Sequence, residues 1–319
     1  MPVLLISTVF QYSTHFPTIC FYNVEKNSRL LHYRHECPVL SCCFLGDERY
    51  CCSAGSDGHI IIKNIQANQR DPLSVIGNHR MAVKSLKYNK NHNLLLSGSW
   101  DTTVNAYDPR MKNLDETARV SQMSHSGKIF SMDLLGDDKL IVATSLQEIF
   151  IWDLRNMKKP SQQRKSTLSN QIRAVSGFPN GEGFVTASAE GRASVDFIQK
   201  DSGELTSKYA FKCHREKHVD KTETVHPVNC LAFHEKYKTF VTGGSDGYIN
   251  IWDPYAKKRI YQLNRYPVGI VGVAFSNDSK NLLAVACSYN YELEEDPVEV
   301  PTDRIYIKRL SDHEIKPTR

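Results

Sequence analysis

One five-residue phrase recurs along this chain at a nearly fixed interval. It reads Ser53-Ala-Gly-Ser-Asp57, Ser97-Gly-Ser-Trp-Asp101 and Thr242-Gly-Gly-Ser-Asp246, and the first two aspartates are 44 residues apart. Weaker copies fill the gap: one runs from Val142 to Leu146, ending 45 residues after Asp101, and one from Thr186 to Glu190, another 44 on. Self-similarity at such a spacing means that one supersecondary unit is repeated, each copy burying its apolar face against the next. Inside the units, Val39–Phe44 alternates loosely, Lys139–Thr144 is mostly apolar and Tyr248–Trp252 alternates clearly. These runs are rich in β-branched and aromatic residues and are separated by Gly, Asp and Asn, the composition of short strands joined by turns. No segment keeps a helical apolar stripe over three turns. The chain is predicted to be all-β.

A period near 44 residues is that of the four-stranded blade of a WD-repeat β-propeller. Strand pairs are expected to begin near Cys37, Met81, Gly127, Ile172, Val228 and Gly269, with residues 4–24 as the remains of one further unit. The fold class is therefore a seven-bladed WD-repeat β-propeller, one domain over residues 1–319, with its first blade incomplete at the N-terminus. Residues 1–18 are an atypical start. Two segments break the rhythm. The 56 residues from Glu190 to Asp246 place an insertion at 208–225, and the acidic turn Tyr291–Glu299 marks another at 291–303.

The repeated phrase also carries chemistry. In WD repeats a His before the first strand, a Ser or Thr in the second, an Asp in the next turn and a Trp in the third form a buried hydrogen-bonded set. His226, Thr242, Asp246 and Trp252 supply all four members, and His79, Ser97, Asp101 and Tyr107 a near-complete set. His35, Ser53 and Asp57 give three, with Lys63 in the aromatic slot; His125 and Trp152 survive in the next unit, where Leu146 replaces the Asp. A buried carboxylate is tolerable only when its acceptors are satisfied, so these residues are expected to lock turns, with no catalytic residue among them.

Composition narrows the classes. The chain has 319 residues, 40% hydrophobic and 24% charged, with a net charge of +5. No run approaches the roughly 18 apolar residues of a membrane helix, and the apolar start has no basic flank, so membrane and secreted classes are excluded. Nine cysteines without a secretory signal read as reduced thiols in the cytosol or nucleus. The cluster Cys37, Cys42, Cys43, Cys51 and Cys52 lacks a C-x-x-C spacing, and adjacent cysteines on a strand face opposite ways, so no metal site is expected. Phosphate-loop, dinucleotide and H-E-x-x-H motifs are absent, which leaves cofactors and enzymatic activity unsupported. The cations are scattered without an aromatic ladder, so direct nucleic-acid binding is unsupported too. The runs Lys158–Lys165 and 292–299 read as solvated loops.

Longer phrases are more specific than the repeat. They are Ile149-Phe-Ile-Trp-Asp-Leu-Arg-Asn-Met157, Lys208-Tyr-Ala-Phe-Lys-Cys-His-Arg215, Thr242-Gly-Gly-Ser-Asp-Gly-Tyr-Ile-Asn-Ile-Trp-Asp-Pro-Tyr255, Lys257-Lys-Arg259, Arg265-Tyr-Pro267 and Val273-Ala-Phe-Ser-Asn-Asp278. Over about residues 19–319 the chain resembles the spindle-assembly-checkpoint WD-repeat proteins of the budding-uninhibited-by-benzimidazoles group. The RNA-export WD-repeat proteins of the nuclear pore are similar but share less of this wording. The resemblance implies a non-enzymatic mitotic adaptor of the nucleus, cytoplasm and kinetochore. It implies binding of an acidic GLEBS-type peptide of a checkpoint kinase and its pseudokinase-like partner. It also implies reading of phosphothreonine in Met-Glu-Leu-Thr repeats of the kinetochore scaffold, with the mitotic checkpoint complex and its ubiquitin ligase as further partners. By motif match Trp100 and Arg173 would hold the kinase peptide, and Arg192 and Lys212 the phosphate. The alternative is an mRNA-export adaptor that binds a nucleoporin GLEBS-type peptide.

The N-terminus departs from that pattern. The family has two strands before the counterpart of Leu4–Ser7, one of them joining the last blade, and a Ser-Trp-Asp phrase where this chain reads from Ser7 through to Cys20. The departure predicts unpaired edges on the first and last blades and a mis-spliced or mis-predicted start over residues 1–18.

Overall fold

The computed structural model describes residues 3–8, 17–46, 49–66, 73–110, 118–198, 208–276, 280–289 and 301–317. The acidic turn expected after Tyr291 and most of the atypical start lie outside the described residues. Apart from one four-residue helix, α1 (Asp312–Ile315), the regular elements described are strands. The chain divides into two compact units, residues 1–134 with 138–164 and residues 135–137 with 165–319.

The first unit holds three sheets and most of a fourth. They are β1–β3 (Val3–Thr8, Thr18–Asn23, Ser28–Arg34), β4–β7 (Val39–Leu45, Tyr50–Gly55, His59–Asn64, Ser74–Asn78) and β8–β11 (Val83–Asn89, Leu94–Ser99, Thr103–Tyr107, Arg119–Ser124), then β12–β15 (Ile129–Leu135, Lys139–Thr144, Glu148–Asp153, Gln162–Lys165). The second unit carries β16–β19 (Ile172–Gly177, Gly183–Ser188, Arg192–Phe197, Lys208–Lys212) and the hairpin β20–β21 (Arg215–Lys217, Glu223–Val225). It continues with β22–β25 (Val228–Phe233, Phe240–Gly244, Ile249–Asp253, Lys258–Gln262) and β26–β28 (Ile270–Phe275, Leu282–Cys287, Arg304–Arg309). In every sheet neighbours in space are neighbours in sequence, the meander that short turns between strands produce. This is an all-β WD-repeat propeller architecture.

Three expectations need correction. Among the described residues five sheets have the complete four strands and the first and last have three each, so the expected count of one incomplete and six complete blades is not met. The first sheet's β1 lies against β4 as β5 lies against β8, a second strand against the next sheet's first, so its open position is the first strand. In the last sheet β26 lies against β22 as a first strand, so the open position is the fourth. The run Lys158–Lys165 is also not all loop. Its end forms β15, because Ser161 donates from its N–H and its hydroxyl to the Ile151 carbonyl, which starts the outer strand. The third correction concerns a histidine and is given below.

Apolar clusters between neighbouring sheets hold the units together. In the first unit Leu96, Val104, Met123, Ile129, Leu140 and Trp152 are buried in one cluster. In the second, Phe178, Val185, Val195, Val228 and Phe240 form another. Each such side chain contributes about 1.5–3 kcal/mol on burial. The cysteines take part in this packing: Cys43 faces Cys52 across β4 and β5, and burial pushes the Cys43 thiol up to about 12.

The first strands of five sheets share one irregularity. The register slips between Val39 and Ser41, Val83 and Ser85, Ile172 and Ala174, Val228 and Cys230, and Ile270 and Gly272. A bulge shifts the register by one residue and re-aims a side chain. The residue so placed in β16 is Arg173.

Candidate peptide-binding site

The turn locks come first, because they fix the sheet ends on which the site stands. In the β22–β25 sheet the Asp246 carboxylate accepts from His214 Nδ1–H at 2.9 Å, leaving His214 Nε2 to accept the Thr242 hydroxyl at 2.7 Å. Thr242 Oγ1 in turn accepts the Trp252 indole N–H at 3.1 Å. Every member of the chain is satisfied, which is what a buried polar network requires. Burial acts to raise the Asp246 carboxyl, but the hydrogen bonds from His214 and from the Tyr248 N–H outweigh it and hold the group below its ordinary value.

His214 therefore replaces His226 in the expected set. His226 sits instead with its Nε2 3.9 Å from Glu216, and its N–H donates to the His214 carbonyl. By spacing His226 was the natural choice, since it precedes Asp246 by 20 residues, close to the 22 that separate His79 from Asp101. The hairpin β20–β21 is the reason: it loops out between the histidine and the strand it serves, so the true partner lies 32 residues before Asp246. The usable signal was the position of His214 directly after the outer strand β19, the place His125 takes after β11.

The His79 set forms as expected, whereas the set at His35 closes only in part, because His35 Nδ1 is buried without a hydrogen-bond partner among the described residues. His79 bonds Asp101 at 3.0 Å and Ser97 at 2.7 Å. Burial works against that carboxylate, yet His79 and Thr103 hold it well below the carboxylate range. His35 bonds Ser53 at 2.7 Å, while Asp57 accepts the His59 N–H and Lys63 is buried in the aromatic slot. Where Leu146 replaces the Asp, Trp152 donates directly to His125 Nε2 at 3.0 Å.

Three of the four predicted recognition residues stand at one end of the β16–β19 sheet. Ile172, beside the Arg173 bulge, pairs with Ser188 at the end of β17, and Arg192 opens β18 directly opposite Lys212 at the end of β19. The turn before Arg192 is tightly seated. Gly191 has φ +62, and a Cβ there would press on the carbonyls of Cys213, His214 and His226 at about 3 Å. Glu190 accepts from the Ser169 N–H and Asn170 Nδ2. Arg192 is half-buried, and its Nε has no hydrogen-bond partner among the described residues. Lys212 is exposed.

A third cation, Arg215, was not singled out from the sequence. It donates to the Glu190 carbonyl at 2.9 Å and to Glu223 Oε2 at 3.0 Å, and Lys212 Nζ lies 3.3 Å from the same oxygen. Its signal was present in the Phe-Lys-Cys-His-Arg phrase but had no spacing argument behind it. An open cavity of about 570 Å³ adjoins these cations, bordered also by Lys217, Arg259 and Arg265.

Trp100 belongs to the first unit. It stands in the turn after β9, its N–H bonded to the Ala82 carbonyl and its ring half-buried under the Lys128 ammonium, 5.6 Å from the ring centre. Its indole N–H is buried with no partner among the described residues. A wide aromatic face at a turn can anchor an extended peptide.

Residues 27–62, 70–108 and 211–253 match the WD domain, G-beta repeat family. The chain is 39% identical over 291 residues to mitotic checkpoint protein bub-3 of Caenorhabditis elegans, covering 91% of this chain and 82% of that protein. It is 38% identical over 296 residues to mitotic checkpoint protein BUB3.1 of Arabidopsis thaliana, covering 93% and 84%. The mRNA export factor GLE2 of Chaetomium thermophilum is more distant, at 27% over 268 residues, covering 83% and 72%. Repeat phrase, sheet architecture and identity along most of both chains agree: the chain belongs to the Bub3 family of mitotic checkpoint WD-repeat proteins.

Proposed function

We propose that this chain is a non-enzymatic checkpoint adaptor of the nucleus and the mitotic kinetochore. In this reading Arg192 and Lys212 receive the phosphothreonine of Met-Glu-Leu-Thr repeats in the kinetochore scaffold, and Trp100 and Arg173 hold the acidic GLEBS-type peptide of a checkpoint kinase. The observation that carries it is the direct cross-strand pairing of Arg192 with Lys212. Two cations a strand spacing apart suit a group that brings close to two charges and three acceptor oxygens. The test is calorimetric titration of the full chain with a phosphorylated Met-Glu-Leu-Thr peptide and its unphosphorylated twin. Tight binding that depends on the phosphate is expected; equal affinity for the two peptides would sink the phosphate-reading claim.

The similarity to an mRNA export factor supports a second reading, an export adaptor on a nucleoporin peptide. Prometaphase imaging separates the two. Kinetochore foci are expected for the checkpoint adaptor, and persistent nuclear-rim staining would favour export.

A further inference from the structure

We propose that Glu223, on the inserted hairpin, is an internal anion that fills the phosphate position of the free protein and must leave when a phosphorylated segment binds. The inference rests on the phosphate reading of Arg192 and Lys212. One carboxylate oxygen, Glu223 Oε2, takes both Arg215 at 3.0 Å and Lys212 at 3.3 Å. An anionic oxygen between two such cations is what a bound phosphate would also present. The same two cations, Arg215 first, hold the Glu223 carboxyl below its ordinary range.

The hairpin is built to yield. It has three paired positions, Arg215 with Val225, Glu216 with Thr224 and Lys217 with Glu223, and no third strand among the described residues. A two-stranded ribbon of this kind is marginal on its own. Glu223 sits on the last rung before the turn, which carries the fully exposed Val219. Arg215, by contrast, is anchored on its other side to the Glu190 carbonyl, two residues before Arg192. When Glu223 swings away, Arg215 stays. Lys212 and Arg215 then face an open cavity of about 570 Å³, with Arg192 directly across the strand pair from Lys212.

The charge balance gives the exchange its direction. Glu223 brings one charge and, in the free protein, satisfies two cations through one oxygen. A phosphothreonine brings close to two charges and three oxygens, enough for both cations and for Arg192 across the strand pair from Lys212. The carboxylate lowers the affinity for every anion by a common factor. Singly charged acidic segments thereby fall below the threshold for occupancy, and phosphorylated ones remain above it.

The test compares the full-length wild type with E223Q and E223A, titrated with the phosphorylated and unphosphorylated Met-Glu-Leu-Thr peptides. E216Q, which removes the same charge from the same hairpin without touching Lys212 or Arg215, is the control, and unfolding temperatures verify that each variant is folded. E223Q and E223A are expected to bind the phosphopeptide roughly twofold to tenfold tighter, the range of one partly exposed ion pair, while E216Q stays near wild type. Unchanged or weaker binding by both Glu223 variants overturns the proposal, as does an equal gain in E216Q. R192A keeps the two readings apart. Phosphate-dependent binding lost in R192A, without a gain in E223Q, removes the role of Glu223 and leaves the phosphate site standing. No phosphate-dependent binding by the wild type or by E223Q removes both.

Discussion

Arg192 and Lys212 stand directly opposite each other in the antiparallel register of β18 and β19, at the end of the sheet where Arg173 also lies. The pairing puts two like charges side by side, an arrangement that costs stability unless an anion sits between them.

Loss of either cation should therefore weaken phosphopeptide binding without harming the fold. Charge-assisted hydrogen bonds are worth about 1.5–3 kcal/mol each, so R192A and K212A are expected to lose roughly tenfold or more in affinity. The unphosphorylated peptide should be indifferent to both changes. R192K should recover only part of the loss, because an ammonium lacks the planar fork of the guanidinium. Calorimetry on the three variants checks this.

His214→Ala and His226→Ala should differ sharply in stability. The first removes the donor to Asp246 and leaves a buried carboxylate unpaired, at a cost of about 3 kcal/mol or more. The second removes a partly exposed side chain whose charged neighbour is 3.9 Å away, at a cost below about 1 kcal/mol. Gly244→Ala should behave like His214→Ala, since a Cβ at that position would overlap His214 Nδ1 and crowd Asp246. Urea denaturation of the three variants gives the ranking; equal losses for the two histidine variants would contradict the assignment of His214.

Stability should fall in mildly acidic solution through His125. Burial lowers this imidazole to about 4, partly countered by backbone hydrogen bonds at Thr102 and Met123. Its Nε2 must stay unprotonated to accept the Trp152 N–H. Below about pH 6.5 the unfolded chain takes up a proton that the folded chain refuses until about pH 4. The contribution is complete above pH 6.5, is lost as pH falls from 6.5 to 4, and falls no further below that. After allowance for solvent screening it amounts to about 2 kcal/mol. H125Q, which keeps an acceptor but no titrating group, should flatten the stability profile in that window.

Trp100→Ala separates binding from folding. The ring is half-buried at a turn and its one cation–π neighbour is Lys128, a contact worth about 0.5–1 kcal/mol at an exposed site. Removing it should leave the unfolding temperature nearly unchanged and weaken a GLEBS-type peptide by about 2 kcal/mol or more, as loss of an aromatic anchor does. Trp252→Ala should do the opposite damage, because Trp252 closes the Thr242–His214–Asp246 network.

Much of this protein is determined by its sequence alone. The recurrence, at a period near 44 residues, of a phrase that opens on Ser or Thr and closes on Asp four residues later dictates four-stranded sheets in series, because each unit buries its apolar face only against another copy. Ser97, Asp101, Thr242, Asp246 and Trp252 take up their turn-locking roles because their spacing within a unit is rigid. What spacing could not supply is anything that crosses an insertion. His214 and His226 both precede the same strand, and only the folded hairpin β20–β21 decides which imidazole reaches Asp246. The bulge at Arg173, the cross-strand meeting of Arg192 with Lys212, and the carboxylate of Glu223 between Lys212 and Arg215 were likewise decided in three dimensions. Arg192 and Lys212, 20 positions apart in the chain, become neighbours through strand register, and register is a property of the assembled sheet.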